Sequence, residues 1–299
     1  MNQGDYVTRK SYGGDVVFRI ERIVGGMALL RGVELRLMAD APLADLQLAE
    51  APAVAQNRDD GGRYRQAVEK LHHFRKKVLE TTMRDLQRTA QRDQWGEFGM
   101  PGSFFEMPGK VLHLDGDANY LRKSMALYKE LRVPVLGFHI SEAAMAEALQ
   151  RLLPRVQPDI VVITGHDGMY KRNGESSSVY SLSNYKNSAH FVEAIRAARR
   201  YERSLDDLII VAGACQSYFE ALLQAGANFA SSPARILIHA MDPVHIASKL
   251  AYTSMKDTVC ISDIYEHTMT GTKGIGGIET RGCFRIGAPN VRKNPVSPA

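Results

Sequence analysis

From residue 108 onward the chain alternates between short apolar runs and longer amphipathic stretches, a rhythm that few architectures accommodate. The runs at 110–114, 133–139, 159–164, 207–212 and 234–240 predict strands, and the stretches at 119–131, 142–153, 189–201 and 218–225 predict helices. Strands this continuously apolar belong to a mostly parallel sheet covered by helices on both faces. Right-handed crossovers then bring the carboxyl ends of those strands to one edge, where open α/β sheets bind their ligands.

The first hundred residues follow a different grammar. Gly4-Asp5, Gly13-Gly14 and Gly25-Gly26 punctuate short β-rich runs across 4–38, which predicts a small antiparallel barrel. The stretch 41–60, with Pro42 and Pro52, reads as a linker. From 63 to about 93, Tyr64, Ala67, Val68, Leu71, Phe74 and Val78 recur at three- and four-residue steps and make one apolar stripe on a helix. The stripe suits either a coiled-coil arm that pairs two chains or a helix packed on the next domain. Residues 94–108, rich in Gly and Phe, read as a loop. Three units result: a barrel domain (1–50), a helical connector (51–107) and an α/β domain (108–299).

Composition narrows the function. The net charge of +5 is concentrated between Arg58 and Asp93, where ten Lys/Arg stand against six Asp/Glu. A solvated basic helix explains this better than a nucleic-acid face. The longest apolar runs reach six or seven residues, far short of the ~20 of a membrane helix. The start, Met1-Asn2-Gln3-Gly4-Asp5, is neither basic nor apolar, so no secretory signal is expected. Three cysteines are too few for a disulfide framework, and a cytoplasmic setting follows.

Polar residues stand at the ends of the predicted strands: His113, Asp115, Gly116 and Asp117; His139; Thr164-Gly-His-Asp-Gly168; Gly213-Ala-Cys-Gln-Ser217; His239 and Asp242. Cys215 and His166 each follow an apolar strand at a glycine-bearing turn, and neighbouring strands would set those turns side by side. The helix start after Cys215 favours a thiolate, and an imidazole can act as base and then as acid. Backbone N–H groups at Gly168 and Cys215 could hold an oxyanion. His166 precedes Cys215 by 49 residues, close to the caspase spacing of about 50. Cys260 and Cys283 read as core filler, His72 and His73 as solvated helix residues, and His190 as part of a helix face.

The apolar blocks before His166 and before Ala214-Cys215 resemble the caspase–legumain–clostripain clan, although Asp167 stands where that clan has glycine. A closer resemblance runs through Gly4-Asp5-Tyr6-Val7-Thr8-Arg9-Lys10-Ser11-Tyr12, Met107-Pro-Gly-Lys-Val-Leu-His-Leu-Asp-Gly-Asp117, Ile163-Thr-Gly-His-Asp167, Ala212-Gly-Ala-Cys-Gln-Ser217, Ala225-Gly-Ala-Asn-Phe-Ala-Ser-Ser-Pro233 and Gly276-Gly-Ile-Glu-Thr-Arg-Gly282. Over nearly the whole chain this resembles the YabG family of sporulation-specific proteases. The resemblance implies a caspase-like α/β peptidase domain behind an SH3-like barrel. It implies a cysteine endopeptidase that processes spore-coat proteins, cuts after arginine and works in the mother cell at the forming coat. No cofactor, nucleic acid or membrane is implied. A P1 arginine needs a carboxylate in its pocket. Asp115 and Asp117 follow the first strand, where clan members often place specificity residues, with Asp242 as a further candidate. The alternative for the aspartate pair is capping the helix that begins near Asn119.

Two other readings stand beside this one. His113, Asp115, Asp117, His139, His166, Asp167, His239 and Asp242 offer ligand types that suit zinc or manganese, though without a compact metal motif. The barrel and connector could instead make the chain a non-catalytic coat-assembly scaffold. Gly274-Ile-Gly-Gly-Ile-Glu-Thr-Arg281 lacks the phosphate-loop pattern and reads as a turn at the sheet edge. The polar loop 167–187 is a candidate lid or self-cleavage segment, and the arginine-rich stretch from Arg58 to Arg92 a second self-cleavage candidate.

Overall fold

The computed structural model describes residues 1–33, 35–50, 61–92, 105–170 and 179–287. Half of the predicted linker (51–60), much of the 94–108 loop and residues 171–178 of the polar loop lie outside the described residues; the first half of that linker instead carries sheet, the end of one strand and the strand Leu46–Leu48.

Strands β1 (Tyr6–Arg9), β2 (Phe18–Val24), β3 (Met27–Gly32), β4 (Met38–Pro42) and β5 (Leu46–Leu48) form one antiparallel sheet in the order β4-β3-β2-β1-β5. Gly25 and Gly26, both at positive φ, make the two-residue hairpin between β2 and β3. Alternate residues turn inward, so Val7, Phe18, Ile20, Ala28, Leu30, Ala41 and Leu46 build a core of their own.

Helix α1 (Gly61–Arg92) leads into the α/β domain. There follow β6 (Phe105–Met107), β7 (Val111–Asp115), α2 (Ala118–Glu130), β8 (Val135–His139), α3 (Met145–Val156), β9 (Ile160–Thr164) and α4 (Ser188–Tyr201). The second half holds β10 (Ile209–Ala212), α5 (Phe219–Gln224), β11 (Phe229–Ser231), α6 (Asp242–Tyr252), β12 (Thr258–Val259), α7 (Ile261–His267), β13 (Ile275–Gly277), β14 (Thr280–Arg281) and β15 (Arg285–Gly287). The main sheet has the order β13-β11-β10-β9-β7-β8 and is parallel except for the edge strand β13. Period-two alternation divides its side chains. Val111, Ile160, Val162, Ile209 and Val211 face α1, α2 and α6, whereas Leu112, Leu114, Val161, Ile163 and Ile210 face α3, α4 and α5.

The connector's stripe is covered by the chain's own α/β domain. Val68 and Leu71 are buried, Tyr64 stacks near His245, and Phe74 meets His267 and the Lys249 ammonium. The packed-helix alternative therefore holds for these residues.

One predicted strand is displaced. The strand expected at 234–240 is irregular chain, and the sheet takes Phe229–Ser231 instead. Ser232, just before Pro233, and Arg235, two residues after it, adopt φ 66 and 56 and turn the chain out of the extended region. Gly276 and Gly277 lie in an edge strand, as a sheet-edge segment rather than a phosphate loop. Cys283 is core filler as expected, and His72 and His73 are solvent-exposed.

Candidate active site at the carboxyl edge of the sheet

β9 and β10 pair in parallel with Ile163 opposite Ala212, so the turns 164–168 and 213–217 leave the sheet side by side. Bonds between the turns hold them: Ser217 Oγ donates to Asp167 Oδ2 at 2.9 Å, and Met169 N to Gln216 Oε1 at 3.4 Å. Gln216, directly after the cysteine, adopts φ 56, a left-handed conformation that non-glycine residues adopt at a cost.

Cys215 is fully buried. Its Sγ lies 3.4 Å from the Ile238 N–H and 3.8 Å from the Ile238 carbonyl. The displaced segment 234–240 thus walls the thiol. Burial pushes the thiol up to about 11, against the smaller opposing influence of the Ile238 N–H and of the guanidinium and main chain of Arg36. The depressed thiol expected from a helix start is absent here. α5 is only six residues long and begins four residues after the cysteine.

His166 is also fully buried. Its Nδ1 lies 3.3 Å from Arg31 Nη1 and its Nε2 3.2 Å from the Gly32 carbonyl. A guanidinium only donates and a carbonyl only accepts, so the ring carries its proton on Nε2 and receives at Nδ1. Burial, then the nearby Arg31 and Arg36 charges, push the imidazole down to about 3. Both partners of the ring belong to β3 of the N-terminal sheet. Beneath it, Glu142 Oε1 receives the His166 N–H at 2.9 Å.

Arg36, from the connection between β3 and β4, lies across the end of β7, with its main chain against the Asp167 turn. Its guanidinium makes a two-pronged contact with Asp115, Nη1 to Oδ1 and Nη2 to Oδ2, each 2.8 Å, and lies 4.5 Å above the Tyr120 ring. The Arg36 carbonyl receives the Asp167 N–H at 3.3 Å. Leu37 pairs in parallel with Asp167, whose carbonyl receives the Met38 N–H at 2.7 Å.

The predicted residues separate accordingly. Asp115 accepts the arginine. Asp117 caps α2, accepting from the Asn119 and Tyr120 N–H groups, so the capping alternative describes it. Asp242 receives Met269 N, Thr270 N and Thr270 Oγ1 and fixes that loop instead of meeting the arginine. The Gly168 N–H is turned onto Asp167 Oδ1 at 2.8 Å, which leaves the Asp167 N–H as the donor beside the Arg36 carbonyl.

Of the polar residues considered as metal ligands, His113 and Asp115 lie together, 3.5 Å apart, but Asp115 is taken up by Arg36. His113 bonds Tyr128 and Thr164, and His139 is exposed. Among the described residues no group of three or more His, Cys, Asp or Glu side chains gathers to hold a metal. Likewise, among them no helix is long and apolar enough to cross a membrane.

Sequence reasoning missed Arg31, Arg36, Tyr120 and Glu142. It noted Asp167 as a departure from glycine and as a candidate metal ligand, not as an organiser of the site. That carboxylate is fully buried and gathers Gly168 N, Asn187 N, Ser188 Oγ and Ser217 Oγ, four donors from three segments. Even so, burial outweighs those donors and raises its pKa.

A parallel α/β sheet with a buried cysteine, histidine and arginine-binding aspartate at its carboxyl edge defines an α/β protein whose candidate chemistry lies where such sheets bind ligands. The model of the family described as YabG peptidase U57 matches residues 2–289. The chain is 42% identical over 291 residues to the sporulation-specific protease YabG of Bacillus subtilis (strain 168), spanning 96% of this chain and 97% of that protein. The chain belongs to the YabG peptidase U57 family and is a peptidase.

Proposed function

We propose that the chain is a cysteine endopeptidase that acts in sporulation and cuts its protein substrates, spore-coat proteins among them, after arginine. The observation that carries this reading is Arg36. A buried arginine holds its guanidinium on Asp115 while its carbonyl and main chain lie against the Asp167 N–H and Cys215 Sγ, as a P1 residue would. The relative's sporulation name supports the setting.

In this mechanism Asp115 and Tyr120 receive the P1 side chain, and His166 Nδ1 takes the Cys215 proton. Sγ then attacks the arginine carbonyl, and the oxyanion is held by the N–H groups of Asp167 and Cys215. The imidazolium returns its proton to the leaving amine as the C–N bond breaks. Water, activated by the same imidazole, hydrolyses the thioester and restores the thiol. The Gly32 carbonyl on Nε2–H favours the tautomer whose lone pair is on Nδ1.

The test uses wild type and Cys215→Ala with an unfolded arginine-containing protein, in reducing buffer with and without EDTA, and product termini read by mass spectrometry. Cleavage after arginine that survives EDTA and vanishes in the variant is the expected result. Cleavage that persists in Cys215→Ala, or that EDTA abolishes, overturns it.

A further inference from the structure

Arg36 does not serve the sheet it comes from. The N-terminal core is complete without it, and its side chain reaches into the other domain, where it is wholly buried. A buried ion pair adds little stability over apolar packing, so stability alone is a weak reason to build one. The surrounding contacts concern the same cleft. Tyr120 Oη donates to the Val33 carbonyl at 3.3 Å, and Arg31 Nη1 donates to the Gly116 carbonyl at 3.1 Å. Lys186 pairs with Asp40 at 2.5 Å. Leu37 and Met38 add to the chain at Asp167 by main-chain pairing, as an extended peptide adds to an open edge.

We propose that residues 35–37 are an internal arginine ligand of the candidate site, docked like a substrate, which keeps the peptidase latent until the segment withdraws. The inference rests on the peptidase reading above and adds its regulation. While the segment is docked, Arg36 fills the pocket on Asp115 and excludes any other P1 arginine. Arg31 covers His166 Nδ1, the nitrogen that must take the thiol proton. The Arg36–Leu37 bond therefore lies at the nucleophile without being cut, because the base is engaged. Withdrawal of 35–37 empties the pocket, and a swing of the Arg31 guanidinium, which Glu21 also holds, frees the base while Gly32 stays on Nε2.

The experiment measures the rate at which an arginyl chloromethyl ketone alkylates Cys215, followed by mass spectrometry with peptide mapping, in the full-length chain. Wild type, Arg36→Ala and Arg36→Lys are compared, with a thermal melt of each to verify folding. An open state populated at about 1–10% predicts labelling about 10- to 100-fold faster in Arg36→Ala, with Arg36→Lys between. A folded Arg36→Ala that labels no faster than wild type overturns the inference and leaves the peptidase reading standing. Absence of Cys215 labelling in every folded form overturns both. If Arg36→Ala does not fold, wild type alone decides. Its rate should level off with rising reagent at a value shared by iodoacetamide, the opening rate, and a rate that rises linearly for both reagents overturns latency.

Discussion

Arg36 and Asp115 stand 79 residues apart and form a two-pronged ion pair in which neither side chain is exposed. Burial alone would raise the Asp115 carboxyl, but the Arg36 charge and His113 outweigh it and hold it well below the usual carboxylate range. Asp115→Asn would leave a guanidinium buried without its counter-charge, a loss of about 3–5 kcal/mol of stability. The same substitution should lower kcat/KM for arginine substrates by about 100-fold, because the pocket would lose the charge that recognises them. Urea unfolding and peptide kinetics check the two effects separately.

The buried imidazoles give stability a pH signature. His166 and His245 are each pushed down to about 3, first by burial and then by neighbouring cations or histidines. The unfolded chain binds their protons near the ordinary value of about 6.5, so their contribution is complete above that pH and is lost as pH falls toward about 3. Cys215 acts at the other end. Its raised pKa contributes stability below the ordinary thiol range that is lost as pH rises through about 11. Unfolding free energies measured from pH 4 to 11 should fall off on both sides of a neutral plateau, with a shallower acid limb in His166→Asn.

Thiol reactivity should reverse the order that a helix-start cysteine suggests. Cys260 is partly exposed, whereas Cys215 and Cys283 are buried. Limited iodoacetamide at pH 8 is expected to modify Cys260 ahead of both in wild type, and Arg36→Ala should move Cys215 forward in that order. Peptide mapping of partially labelled protein reads the sequence of events. Cys260→Ser should leave peptidase activity intact.

Gly165 has no room for a side chain. A Cβ there would lie 2.5 Å from Glu142 Oε1, the atom that receives the His166 N–H. Gly165→Ala should force Glu142 aside, cost about 1–3 kcal/mol and unseat the histidine turn. A fall in kcat larger than any change in KM would identify the base, rather than the arginine pocket, as the part disturbed.

The strand–helix alternation from residue 108 determined the sheet, because burial on both faces demands near-continuous apolar strands and that demand is local. The glycine turns at 25–26 and the stripe from Tyr64 to Val78 were legible for the same reason: each is a periodicity or a backbone requirement written in adjacent residues. The placing of His166 and Cys215 on neighbouring turns also followed, since parallel pairing of consecutive strands leaves little choice. Helix capping by Asp117 and the pairing of Asp115 with Arg36 were not separable in sequence. Both are aspartates after one strand, and only the direction of each carboxylate distinguishes them. The segment 234–240 is apolar enough for a strand, and only the left-handed turns at Ser232 and Arg235 sent it against the thiol. Arg36 carried no signal at all. Its meaning depends on how one domain docks on another, and that was decided by contacts between Arg31, Arg36 and Asp40 on one side and His166, Asp115 and Lys186 on the other, which no local pattern encodes.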